Sequence, residues 1–254
     1  MAHDIEIHAI VLRVTNYRES DRILTLLSPE MGKVTATARG SRKQNSKLLA
    51  CAQPFVCAQV LLKQHLGQWI ISQAEIVEAF YDLRLDYDML KVAGAICGLA
   101  ESALLTEATA HPGQEISLYE LVYKTLAYAC YGTLNARTLL LWYALHLLDA
   151  MGYRLALSAC AACGRVYKSS PQTVSVIFDA LRGGIICSRC HVELSQGNQT
   201  VRLEREALET LQEMQVCTLE NAADVAEGCC DALAHMLQVA LGALAGIRIK
   251  RLDV

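Results

Sequence analysis

Two hydrophobic rhythms divide the chain. Over residues 5–80 apolar positions either alternate with polar ones or run in short blocks, the period of extended chain. From Asp82 onward they recur every three or four residues, the period of a helix. Ile5–Val14 reads as a strand apolar on both faces, followed by a turn at Asn16–Asp21 and a second strand, Arg22–Leu27. Ser28-Pro-Glu-Met-Gly32 is a hairpin turn into Lys33–Ala38, where Val34, Ala36 and Ala38 share one face and Lys33, Thr35 and Thr37 the other. Phe55–Lys63 and Trp69–Ala79 make a further pair with Gly67 at their turn.

Five strands with a long loop after the third suit a small closed barrel such as the OB-fold, with an SH3-like barrel as the nearest rival. The helical part opens with Tyr87–Leu105, which ends near a loop at Thr109–Gly113. Ser117–Tyr131 follows, closed by Gly132, and then Leu134–Met151, closed by Gly152. The Leu-rich centre of the third helix is apolar all round, which implies burial, and His146 inside it reads as a satisfied core histidine. Glu204–Gln215 and Ala222–Ile247 are the last two helices. No apolar run is long enough and free enough of polar residues to be read as a membrane span.

Between the third and fourth helices stand two Cys-x-x-Cys knuckles, Cys160/Cys163 and Cys187/Cys190, with 23 residues between them. Each knuckle turn aims two thiolates at one ion. Four together close a tetrahedral structural site, so one Zn2+ held by Cys160, Cys163, Cys187 and Cys190 is expected in a module at about 156–195. His191 is the second choice for the last ligand. Such a site is a fastener, with no open position for a catalytic water. Of the eleven cysteines, the other seven lie among apolar residues and read as free core thiols of a cytosolic protein.

Composition adds little until charge is divided along the chain. The net charge is −3, yet residues 13–63 hold nine Lys/Arg against three Asp/Glu, an excess of six positive charges that leaves the remainder at −9. The excess centres on the run from Lys33 to Lys47, a strand that breaks at Gly40 into a loop with no acidic and no large apolar residue. Arg forks and Lys point charges in such a loop meet phosphates, while the plain alternative is a solvated surface loop. The candidate DNA-binding residues are Arg18, Arg22, Lys33, Arg39, Arg42, Lys43 and Lys47. Tyr17 is the best stacking candidate, whereas Phe55 and Trp69 read as barrel core. The few carboxylates of this segment are expected to pair with Arg18 and Arg22. Arg248–Arg251 forms a smaller basic cluster at the end of the chain.

No P-loop, dinucleotide fingerprint, H-E-x-x-H or G-x-S-x-G occurs, so no catalytic residue is assigned and an enzyme is not expected. The N-terminus lacks a basic start and an apolar core, so it does not read as a signal peptide and a cytoplasmic location is expected. Two rival classes remain open: a protein-interaction adaptor whose basic barrel grips an acidic partner, and a zinc-dependent nuclease or hydrolase.

Tyr17-Arg-Glu-Ser-Asp21-Arg-Ile-Leu, Gly32-Lys, Ala38-Arg-Gly-Ser-Arg42-Lys, Phe55, Gly152-Tyr and the segment Cys-x-x-Cys-Gly…Phe178…Gly183-Gly184…Cys-x-x-Cys together resemble the bacterial recombination mediator family RecO. The resemblance spans about residues 5–250 and rests on the order of the parts more than on any one motif. It implies an α+β multidomain protein: an N-terminal five-stranded OB-fold barrel in residues 1–80, then an α-helical domain in residues 81–254 with an inserted four-cysteine zinc ribbon. It further implies binding to single- and double-stranded DNA, annealing of complementary strands, and work with RecR to load RecA onto DNA coated by the single-strand binding protein SSB. The helical domain would recognise the C-terminal tail of SSB, with Arg137 as a candidate contact.

Overall fold

The computed structural model describes residues 4–104, 114–167, 175–194, 199–250 and 252. The loop expected at Thr109–Gly113 and the last residue of the basic tail, Arg251, lie outside them. The chain divides into two compact units, Met1–Tyr131 and Gly132–Val254.

The first unit is built on five strands, β1 (Ile5–Tyr17), β2 (Asp21–Ser28), β3 (Gly32–Ala38), β4 (Cys57–His65) and β5 (Gln68–Glu78). They close into a barrel in the order β1-β2-β3-β5-β4. β1 is shared between two neighbours. Its first half pairs with β4 from Ile5↔Leu62 to Ile10↔Cys57, and its second half with β2 from Ile10↔Leu27 to Tyr17↔Asp21. A register shift between Val11 and Arg13 bends the strand where it changes partner. A short parallel pairing of β3 with β5, Ala36↔Trp69 and Thr37↔Ile70, closes the barrel. This strand order is that of the OB-fold and excludes the SH3-like rival.

The alternation read from the sequence holds along β3. Val34, Ala36 and Ala38 are buried in the barrel core with Ile7, Leu24, Leu26, Val60, Leu62 and Ile71, while Thr35 is exposed. Trp69 packs half-buried against that core, and Phe55 is buried. Two helices complete the unit, α1 (Tyr87–Ala103) and α2 (Gln114–Tyr131). Asp86 starts α1 by accepting the amides of Asp88 and Met89 at 2.9 and 3.0 Å, which satisfies two of the donors that a helix N-terminus leaves bare. Phe80 meets Tyr123 edge-on with ring centres 5.6 Å apart, and the Cys57 thiol lies 3.3 Å from the Tyr119 hydroxyl, so α2 is held to the end of the barrel sequence.

The second unit begins with α3 (Ala136–Ala150), capped by the Asn135 side chain, which accepts the Thr138 amide at 2.8 Å. From Thr138 to Leu145 every residue is buried, as its apolar centre requires. His146 Nδ1 lies 2.9 Å from the Trp142 carbonyl oxygen and its ring stacks on Trp142 at 3.7 Å, so it is the satisfied core histidine expected. β6 (Ser175–Asp179), β7 (Gly184–Ile186) and β8 (Thr200–Glu204) form a three-stranded sheet in the order β7-β6-β8 that the sequence reading did not contain. α4 (Ser188–Leu194) lies between β7 and β8, and α5 (Arg205–Val216) and α6 (Glu227–Ala245) follow.

One expectation is corrected here. α6 is long and apolar enough to cross a membrane by length and composition. Its eight buried residues, from Cys229 to Ala245, pack against α3, α5 and β8, so its apolar face is spent on the core of the unit. Five of the seven cysteines outside the knuckles are buried, Cys130 and Cys217 are half-buried, and all seven are free thiols.

Candidate nucleic-acid interface and metal centre

At one end of the barrel the β1–β2 turn, Arg18–Ser20, meets the loop that leaves β3. Gly40 turns that loop with φ +66°, a left-handed conformation that side chains disfavour. Its amide donates to Asp21 Oδ1 at 2.7 Å, and the Ser20 hydroxyl donates to the same oxygen at 3.2 Å. Two residues on, the Arg42 amide donates to the Ser20 carbonyl at 2.9 Å and its guanidinium to the Arg18 carbonyl at 3.0 Å. Loop and turn are thereby joined by three hydrogen bonds. The Asp21 carboxyl is held below its ordinary range chiefly by the Gly40 amide, against a smaller opposing effect of burial and with help from Ser20, Arg18 and Arg39.

This corrects the role foreseen for the acidic residues. Asp21 senses Arg18 and Arg39, but its direct partners are an amide and a hydroxyl. Glu30 takes the Ser28 hydroxyl at 2.6 Å and His8 at 3.1 Å.

The seven basic candidates are not equivalent. Arg18, Arg39, Arg42, Lys43 and Lys47 are exposed, and Arg18, Arg39, Arg42 and Lys43 gather at the joined turn and loop. The Arg18 guanidinium also sits 5.0 Å from the ring centre of Tyr17, which is 40% exposed, so an aromatic face and a cation are presented together. Arg22 is committed inward: its guanidinium donates to the Ala52 carbonyl at 2.8 Å, and its Nε is buried. Lys33 lies at the far end of β3, about 20 Å along the strand from Arg39, and reaches the Glu101 carboxylate at 3.5 Å. Sequence reading missed that carboxylate, which Arg13 also holds, because the pairing joins residues far apart in the chain. Arg137, in the second unit, is engaged by Asp231 at 2.5 Å.

The four knuckle cysteines converge. Cys160 and Cys163 lie on the turn that follows α3, while Cys187 and Cys190 lie where β7 passes into α4. Their sulfur atoms are all within 4.8 Å of one another, and Cys163 and Cys187 Sγ are 3.8 Å apart. Thiolates at about 2.3 Å from a tetrahedral zinc ion stand about 3.8 Å from each other, so the spacing fits one such ion. Cys190 belongs to the cluster and His191 does not.

Local electrostatics act on the four thiols unequally. Burial opposes the Cys160 thiolate, but the amides of Cys187, Cys163 and Ala162 outweigh it and bring that thiol to about 6. Cys190 is pushed to about 12 because its sulfur shares hydrogen bonds with Cys187 and Cys163. Four thiols this close resist full deprotonation until a cation balances them. The backbone was built for this approach: a Cβ on Gly184 would stand 2.6 Å from the Ala156 carbonyl oxygen and 2.7 Å from the Ala156 Cβ. Glycine there lets β7 lie directly against the segment entering the first knuckle, where the Ala156 amide donates to the Gly183 carbonyl at 2.8 Å and the Ile185 amide donates to the Ala156 carbonyl at 3.0 Å.

Comparison with known proteins covers both the barrel and the helical part of the chain. The family model described as "Recombination protein O N terminal" matches residues 1–80, and "Recombination protein O C terminal" matches residues 84–245. A DNA repair protein RecO of Bacillus cereus is 34% identical over 188 residues, covering 74% of this chain and 71% of the relative. Proteins of the same name from Bacillus anthracis and Bacillus thuringiensis are each 33% identical over 191 residues, covering 75% of this chain and 72% of the relative. With both family models matched and relatives a third identical over three quarters of its length, the chain belongs to the RecO family of DNA repair and recombination proteins.

Proposed function

We propose that the protein is a non-enzymatic DNA-binding recombination mediator of the bacterial cytoplasm. The observation that carries this reading is the joined turn and loop at the barrel end, where Arg18, Arg39, Arg42 and Lys43 gather beside an exposed Tyr17. Exposed cations neutralise phosphates and release counterions, while an aromatic face stacks bases without reading their sequence. Lys47 extends this surface, Arg22 supports it from within, and Lys33 is a peripheral contributor. Two strands held at reduced mutual repulsion, with their base edges free, would anneal. Membership of the family supports the rest of this proposal: binding of single- and double-stranded DNA, cooperation with RecR, recognition of the SSB tail and delivery of RecA.

In this reading residues 1–80 carry the DNA surface and residues 81–254 the partner contacts, Arg137 among them. The four cysteines hold one structural Zn2+, whose part is to tie the first knuckle to the sheet. With four thiolates the ion is closed to a reacting water, which disfavours hydrolysis.

The test is fluorescence anisotropy with a labelled single strand across a salt series. The Arg39→Ala, Lys43→Ala double variant is expected to bind more weakly and to lose about 1.4 from the slope of log K against log salt, the share of two phosphates on a single strand. An unchanged slope would remove the loop from the interface. Binding of an acidic peptide without binding of DNA would favour the adaptor reading instead.

A further inference from the structure

We propose that Asp21 is a positioning residue for DNA binding, whose carboxylate fixes the basic loop to the β1–β2 turn by accepting the Gly40 amide. The inference rests on the proposed DNA-binding role of that loop. A carboxylate among seven basic candidates is, by charge alone, a defect in a polyanion-binding surface. Its geometry argues otherwise. Asp21 sits at the first position of β2, paired with Tyr17 across the turn, so its backbone is fixed by the sheet. From there one carboxylate oxygen takes the Gly40 amide at 2.7 Å, at the residue where the loop reverses, and the Ser20 hydroxyl at 3.2 Å.

The other two bonds between loop and turn, both from Arg42, fall on backbone carbonyls of Arg18 and Ser20. Arg42 can therefore keep its place only while the chain reverses at Gly40, and among the described residues Asp21 is the side-chain acceptor at that reversal. Without it the loop amide is left to water, and Arg39, Arg42 and Lys43 must be ordered anew each time a strand binds. That ordering opposes affinity.

Charge and position predict opposite signs, which makes the inference testable. Asp21→Asn removes the negative charge but keeps an oxygen to accept the Gly40 amide. Asp21→Ala removes both. If Asp21 acts only through charge, both variants bind single-stranded DNA more tightly, by similar amounts, and the gain shrinks as salt screens it. If it positions the loop, D21N binds at least as tightly as the wild type. D21A then binds about five- to ten-fold more weakly than D21N, and the gap persists at high salt because a hydrogen bond is not screened. Amide hydrogen exchange at Gly40 should be slow in the wild type and D21N and fast in D21A.

Anisotropy with the full chain and a labelled single strand at low and high salt provides the measurement, after thermal melting shows each variant folded. Asp21→Val, which suits a strand position, takes the place of D21A if that variant does not fold. Equal affinities of D21A and D21N, or tighter binding by D21A, would overturn the inference while leaving the DNA reading intact. A wild-type protein that binds no strand would overturn the DNA reading and this inference with it.

Discussion

The Arg13 guanidinium grips the Glu101 carboxylate with two hydrogen bonds of 2.9 Å each, joining β1 to α1 across 88 positions of sequence. Lys33 adds a second cation at 3.5 Å, and the Glu101 side chain is only 17% exposed. A bidentate pair on a carboxylate this sheltered is worth more than a surface ion pair, which contributes at most about 1 kcal/mol. Glu101→Ala is therefore expected to destabilise the first unit by about 1–3 kcal/mol, because two cations lose their shared counter-ion. Chemical denaturation of the variant checks this, and a loss below a few tenths would show the pair to be ornamental.

The same carboxylate sorts the basic residues. Lys33 already has a partner, whereas Lys43 is exposed and makes no salt bridge among the described residues. Lys43→Ala should thus reduce single-strand affinity more than Lys33→Ala at low salt. Equal losses would mean that the DNA path runs along the length of β3.

Metal analysis of protein purified without chelator is expected to give one zinc ion per chain, bound by the four thiols that lie within 4.8 Å of one another. Cys160→Ser should lower that content sharply. It should destabilise the second unit far more than the barrel, since metal-binding energy is folding energy at such a site. Protein with no bound metal and an unchanged melting profile in Cys160→Ser would refute a structural ion.

Gly184→Ala is the smallest change with a large expected cost. The added methyl would meet the Ala156 carbonyl oxygen at 2.6 Å, in backbone that has no flexible end to move aside. Overpacking of this kind costs about 1–3 kcal/mol. A lower melting temperature and reduced zinc content together are the expected readouts.

His146 supplies a pH dependence of known sign. Burial lowers its pKa, against the opposing pull of the Trp142 carbonyl and Asp149. The unfolded chain therefore binds the proton more readily than the folded one. The stability that depends on neutral His146 is present above about 6.5, the ordinary histidine value, and falls as pH drops below it. Wild-type protein should lose more melting temperature between pH 7.5 and 5.5 than His146→Gln, and equal losses would assign the acid sensitivity elsewhere.

Much of this molecule was legible in its residue order because the information was local. Alternation in Lys33–Ala38 defines which face of β3 enters the barrel. The all-round apolar run in α3 demands burial, and the paired Cys-x-x-Cys turns announce a four-sulfur site. Each follows from a period of two, a period of 3.6 or a fixed ligand spacing. The sheet β6–β8 was less legible. Thr200–Glu204 does alternate, with Val201 and Leu203 buried, but five residues carry too short a period to separate strand from loop.

Other features could only be decided in three dimensions. Barrel type turned on the parallel pairing of Ala36 with Trp69, which no local pattern encodes. So did the fate of individual charges: Asp21 serves the Gly40 amide, Arg22 turns inward to Ala52, and Lys33 turns to Glu101. The sequence by itself determined which residues are apolar, basic or thiol-bearing and the local period on which they repeat, and hence the barrel strands, the long helices and the four-cysteine set. The tertiary structure alone decided which cations remain free for a polyanion, because a charge is spent or spared by partners that the chain brings from far along its length.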